Sequence, residues 1–141
     1  MTQSTEIIPE KEVKQDAIKE PMEYQSITEK ILGCCFEVMN ELGAGFLEGV
    51  YKNSLIVALK QKGICVQKEV TFEISFRGEP IGYYRADIVV EEKVIIELKC
   101  CKCLLPEHKA QVINYLKAAK LSVGLLVNFG QHQLEYRRLY G

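Results

Sequence analysis

The chain has no run of apolar residues approaching the roughly 20 that a membrane helix needs. It has no excess of one charge either. Eighteen basic residues face 19 acidic ones, for a formal net charge of -1. A domain-wide basic field for nucleic acid is therefore excluded, and any such binding must use a local patch. The N-terminal stretch is polar and lacks a signal-type apolar segment, which leads us to expect a cytoplasmic protein. There is no second Cys-x-x-Cys pair and no internal repeat. Cys34, Cys35, Cys65, Cys100, Cys101 and Cys103 thus read as reduced thiols, with the cluster at Cys100, Cys101 and Cys103 expected as small, buried, apolar-behaving side chains. A thiolate metal or redox role for the cluster at Cys100, Cys101 and Cys103 is the rival reading, but adjacent cysteines are not the usual zinc-ligand spacing.

What remains is an ordinary composition, with 48% hydrophobic and 26% charged residues. The 141 residues fit one domain. Residues 1–22 are rich in Glu, Lys, Gln and Ser and read as a mobile tail, with the domain over 23–141. Ser26-Ile27-Thr28-Glu29 has the form of a capping box and predicts a helix start. That helix would present Ile27, Ile31, Cys34, Cys35, Val38 and Leu42 on one side and end at Gly43-Ala44-Gly45. A second helix is expected from 48 to 62, with Val50, Leu55, Ile56 and Leu59 inward. Val70, Phe72, Ile74 and Phe76 alternate with polar residues, as a half-buried strand does. Two further strands cover 85–90 and 94–99. A helix opens at Pro106, and short strands cover 122–129 and 134–139. The element order is ααβββαββ.

The two middle strands carry charge inside apolar runs: Asp87 in the first, Glu97 and Lys99 in the second. A buried charge is costly unless it is paired or bound to a metal. If 91–93 is a three-residue hairpin loop, Val90 opposes Val94 and Asp87 opposes Glu97. Opposed residues share a face, with Cβ atoms about 4.5–5.5 Å apart. Two carboxylates that close repel unless a cation or proton intervenes. Mg²⁺ suits such hard oxygen ligands, and Lys99 on the same face would stabilise charge or orient water. The bland alternative is an ion pair from Lys99 to Asp87, with Glu97 in solvent.

Asp87 followed by Glu97-Leu98-Lys99 resembles the split signature of the PD-(D/E)XK nuclease superfamily. Gly45-Phe46-Leu47-Glu48-Gly49-Val50-Tyr51 resembles the motif of its GxxExxY branch. The segment from His108 to Leu116 and the segment from Val123 to Gly130 are similar to that branch's last helix and strand. The resemblance implies a restriction-endonuclease-like α/β core, a central mixed sheet flanked by helices. It implies that Asp87, Glu97 and Glu48 hold Mg²⁺ or Mn²⁺, that Lys99 is the active-site lysine, and that Gln111 and Tyr115 face the substrate. Ala86 stands where the superfamily name has proline. The implied activity is hydrolysis of phosphodiester bonds in nucleic acid, DNA ahead of RNA, with a homodimer as one arrangement suited to duplexes. The contrasting expectation is a non-catalytic nucleic-acid- or protein-binding module on the same fold. Lys52, Lys60, Lys62, Lys99, Lys102, Lys109 and Lys117 would supply its phosphate-contacting rim. Tyr51 reads as a packing residue, Gly45 as a turn, His108 as a helix cap and His132 as a solvated group.

Overall fold

The computed structural model describes residues 22–141. The tail expected over 1–22 lies outside the described residues, apart from Met22. The elements are α1 (Met22–Leu42), α2 (Glu48–Gln61), β1 (Val66–Phe76), β2 (Glu79–Val90), β3 (Val94–Lys99), α3 (Pro106–Ala119), β4 (Val123–Asn128) and β5 (Glu135–Tyr140). The expected order therefore holds along the whole described chain. Among the described residues, no helix is long and apolar enough to cross a membrane.

Helix α1 begins four residues before the predicted capping box. Tyr24 and Ile27 already pack on the core, so tertiary burial extends the helix past the local cap signal. Thr28 is fully buried within it, and its hydroxyl donates to the Gln25 carbonyl at 3.1 Å. Gly43 ends the helix at φ 73°, with its N–H on the Met39 carbonyl at 2.8 Å. Helix α2 buries Tyr51, Leu55, Ile56 and Leu59. Val50, expected inside, is 39% exposed, because the inward stripe runs through Tyr51 instead. Strand β1 is half-buried at Val70, Phe72 and Ile74 as expected, but Phe76 is exposed.

The sheet order is β1-β2-β3-β4-β5. Only β3 and β4 pair in parallel; the other neighbours are antiparallel. Helix α3 is the crossover that a parallel pair requires. Every residue of β4 is buried, as befits a strand covered on both faces. Helices α1 and α2 cover one face, over Ile88, Val90, Ile96, Leu98, Leu125 and Val127. Helix α3 covers the other with Val112 and Leu116, over Ala86, Val89, Ile95 and Leu126. The architecture is the expected mixed sheet flanked by helices.

Strand β3 alternates regularly, with Val94, Ile96 and Leu98 on the first face and Ile95 on the second. Strand β2 does not. Ile88 and Val90 serve the first face, yet Ala86 and Tyr84 serve the second. The switch falls at Asp87. Across from it, between the Lys68–Ile88 and Val70–Ala86 pairs, Glu69 has φ 54°. Such a conformation is costly for a residue with a side chain.

Gly130 fixes the far end of β4. A Cβ there would lie 2.4 Å from the Cys101 backbone nitrogen and 2.5 Å from its carbonyl oxygen. Backbone cannot yield as a flexible side chain does. Gly130→Ala is expected to destabilise the fold by about 3 kcal/mol, read as a lower urea midpoint at unchanged slope. An unshifted midpoint would show that the 101 and 130 segments separate freely.

Candidate active site

Strands β2 and β3 meet in the hairpin counted from sequence. Val90 pairs with Val94, Val89 with Ile95 and Ile88 with Ile96. Glu91 and Glu92 both adopt positive φ, and the Lys93 N–H reaches the Val90 carbonyl at 2.9 Å. One step beyond the last pair, side chains replace the backbone ladder. The Asp87 N–H donates to Glu97 Oε2 at 3.1 Å, and the Leu98 N–H donates to Asp87 Oδ2 at 2.9 Å. Each carboxylate thus fastens the opposite strand where the strands part.

The electrostatic consequence falls on Glu97, which is 8% exposed. Burial raises its pKa first and the Asp87 charge raises it further; the Asp87 N–H and Lys99 pull the other way. The outcome is a carboxyl pushed up to about 8. A group this buried holds a proton at neutral pH or needs a cation to keep its charge.

Glu48 is the first residue of α2 and is exposed as a whole residue. Partial burial of its carboxyl raises its pKa, and so does Asp87, against the pull of Lys99 and Lys52. Glu48 is therefore within electrostatic reach of both strands. Its helix start is held by Tyr51, whose hydroxyl donates to the Gly43 carbonyl at 2.6 Å and accepts from the Phe46 N–H at 3.2 Å. The Tyr51 ring stacks on Phe129 at 4.8 Å. Tyr51 is a packing residue, the reading preferred for it from sequence over a catalytic one.

Lys99 is half-buried at the end of β3. Its charge acts on Glu48 and Glu97, but the ion pair to Asp87 weighed from sequence is made by another residue. Lys52, one turn after Glu48, stands 3.7 Å from Asp87 Oδ1 and 3.1 Å from Glu69 Oε2. Its i+4 spacing from Glu48 was the available signal. The remaining rim is thinner than the sequence suggested: Lys62 pairs with Glu37 at 3.0 Å, and Lys52 is committed to Glu69 and Asp87.

Tyr115, on α3, packs on Tyr84 and is near enough to the carboxylates to feel their charge. Burial raises its pKa, with smaller contributions from Glu97 and Asp87. Its ring stacks on Tyr84 at 3.7 Å, and Tyr84 stacks on Phe72 at 5.2 Å. The Tyr84 hydroxyl donates to the Tyr115 carbonyl at 2.9 Å. Tyr84 was missed in the sequence because its partner lies 31 residues away. Gln111 is exposed one turn earlier on α3, and no hydrogen bond draws it to the carboxylates. His108 caps α3, its Nδ1 accepting the Leu105 N–H at 3.0 Å. His132 is exposed.

Among the described residues, no three His, Cys, Asp or Glu side chains lie together so that they could hold a metal ion, so the structure does not gather Glu48 with Asp87 and Glu97 into the three-ligand set expected from the resemblance. The donors at the strand ends suit an open oxygen site. Mg²⁺ is characteristically held by one or two carboxylates with waters completing its shell. Asp87 and Glu97 are such a pair, and the raised Glu97 carboxyl is a group whose charge a cation would relieve. The residues present fit a divalent ion. The cysteine cluster is not the buried group expected: it lies in the surface segment after β3, with Cys100 and Cys103 exposed and Cys101 half-buried. Thiolate chemistry still fits less well than oxygen ligation, since partial desolvation raises the pKa of both Cys100 and Cys101.

The family model described as the PD-(D/E)XK nuclease superfamily matches residues 25–139. No curated protein matches the chain. Among solved structures, SSO0001 is 24% identical with a TM-score of 0.50, over 65% of this chain and 48% of that one. An alkaline exonuclease, LHK-Exo from Laribacter hongkongensis, is 12% identical with a TM-score of 0.49, over 89% of this chain and 73% of that one. The chain spans about half the length of SSO0001.

Proposed function

The chain belongs to the PD-(D/E)XK nuclease superfamily, and from that membership we propose that it is a divalent-metal-dependent nuclease of the GxxExxY branch, cleaving DNA ahead of RNA in the cytoplasm. Residues 23–141 form the nuclease domain in this reading. The observation that carries it is the reciprocal bonding of Asp87 and Glu97 at the point where β2 and β3 part.

Asp87 and Glu97 hold Mg²⁺ or Mn²⁺, with Glu48 as a further acidic ligand or water-orienting group. When bound, the ion supplies positive charge beside the scissile phosphate. Lys99 would place its ammonium where charge grows on the phosphoryl oxygens as water adds to phosphorus and the phosphorus bond to the leaving sugar oxygen breaks, that oxygen taking a proton from solvent. Glu48, its pKa raised, is suited to take the proton that water gives up. Tyr115 and Gln111, four residues apart on one helix face, border the nucleic acid. A homodimer would set two such sites on a duplex.

The test is cleavage of linear, branched and single-stranded DNA with Mn²⁺, comparing wild type with Asp87→Asn. Metal-dependent cleavage that the variant loses supports the nuclease. A second reading, a binding module without turnover, draws on the net charge of -1 and the commitment of Lys52 and Lys62 to internal ion pairs. Salt-sensitive binding with no cleavage of any substrate would favour that module.

A further inference from the structure

Lys52 is not placed as a surface lysine. Only 16% of its side chain is exposed. Its ammonium is shared between two carboxylates on two strands: Glu69 at 3.1 Å and Asp87 Oδ1 at 3.7 Å. Burial opposes its charge, and the pull of Glu69 and Asp87 outweighs that opposition. Glu69 binds Arg85 at 3.2 Å through its other oxygen, at the site where its own backbone takes a positive φ. A network thus holds Lys52 in one position beside Asp87. The second Asp87 oxygen, Oδ2, is occupied by the Leu98 N–H. Oδ1 takes no backbone hydrogen bond and is the freer oxygen for a cation, and Lys52 already faces it.

We propose that Lys52 is a positioning residue that gates the metal seat. Its ammonium competes with a divalent ion for Asp87 Oδ1, and Glu69 sets the strength of that competition by drawing the ammonium aside. The inference rests on the metal-site reading above. It goes further in assigning metal affinity to a lysine and a glutamate that do not themselves hold the ion. Two like charges cannot share one carboxylate oxygen at close range without loss, even at the effective dielectric of a protein surface.

The experiment is calorimetric titration of Mn²⁺ into wild type, Lys52→Met, Glu69→Gln, the double variant and Asp87→Asn. Lys52→Met should bind Mn²⁺ about fivefold more tightly. Glu69→Gln should bind it more weakly, because Lys52 then turns wholly to Asp87. In the double variant the Glu69→Gln effect should vanish, since its agent is gone. Equal weakening by Glu69→Gln with and without Lys52 would mean simple loss of a negative charge and would overturn the proposal. So would Mn²⁺ affinity unchanged in Lys52→Met but abolished in Asp87→Asn, a result that leaves the metal site standing. Wild-type binding that survives Asp87→Asn overturns the metal reading and this inference with it. Should Lys52→Met not fold, Lys52→Gln and Glu69→Gln carry the same cycle. Lys52→Arg, which keeps the charge, should restore near wild-type affinity.

Discussion

Lys99→Met is expected to lower the rate of phosphodiester cleavage by about a hundredfold or more, while folding and Mn²⁺ binding persist. The size follows from what is lost. A cation fixed beside developing negative charge lowers the barrier without reorganising, and losing one preorganised donor typically costs two to three orders of magnitude. The persistence of the fold follows from what is not lost. Among the described residues Lys99 makes no ion pair within 4 Å, so no carboxylate is orphaned, and Asp87 keeps Lys52. Single-turnover cleavage, a thermal melt and calorimetry of the same samples separate the effects. Cleavage at the wild-type rate would remove Lys99 from the reaction. A large fall in melting temperature would recast it as a structural residue.

A second large effect belongs to Glu97. Without divalent ions, the protein should lose a few kcal/mol of stability as pH rises from about 4.5 to about 8. The sign follows from linkage. The unfolded chain releases this proton near 4.5, the folded protein near 8, so the folded state binds more protons between them. The stabilisation is complete below the unfolded value and is lost as pH rises through the folded one. Glu48 shifts in the same direction. Glu69, held low by Lys52, acts only below this window. Urea unfolding across the range measures the slope, and Glu97→Gln should flatten it. Saturating Mn²⁺ should also flatten it, with about one proton released per ion bound near pH 7. A slope equal in wild type and Glu97→Gln would show that burial does not raise this carboxyl.

Much of this was legible in the chain because local pattern and global fold agree. Alternation in 70–76, the Glu91-Glu92-Lys93 turn and Pro106 each marked an element that exists. The three-residue loop alone set Asp87 against Glu97; the pairing of Val90 with Val94 bears the loop out, while the ladder stops at Ile88–Ile96 and the two acids meet through side-chain bonds beyond it. The failures share a cause: tertiary contact overrode a local signal. Ser26 looked like a cap, but Tyr24 and Ile27 have core to bury. Val50 has the helical spacing, but the fully buried Tyr51 must stack on Phe129 and bind the 43–46 turn. Lys52 looked like any base on a helix until a strand switch brought Glu69 and Asp87 beside it. Periodicity cannot show a strand that changes faces midway, because period 2 assumes that it does not.

The crossed bonds between β2 and β3 also make the site audible from the backbone. The Asp87 amide proton ends on the Glu97 carboxylate, and the Leu98 amide proton ends on the Asp87 carboxylate. Any change in the charge of either acid is felt by a main-chain N–H on the other strand. Two magnetic resonance signals therefore report protonation and ion occupancy with no substrate in the tube. The same pair would mark the site in a relative that had kept the geometry and lost the chemistry.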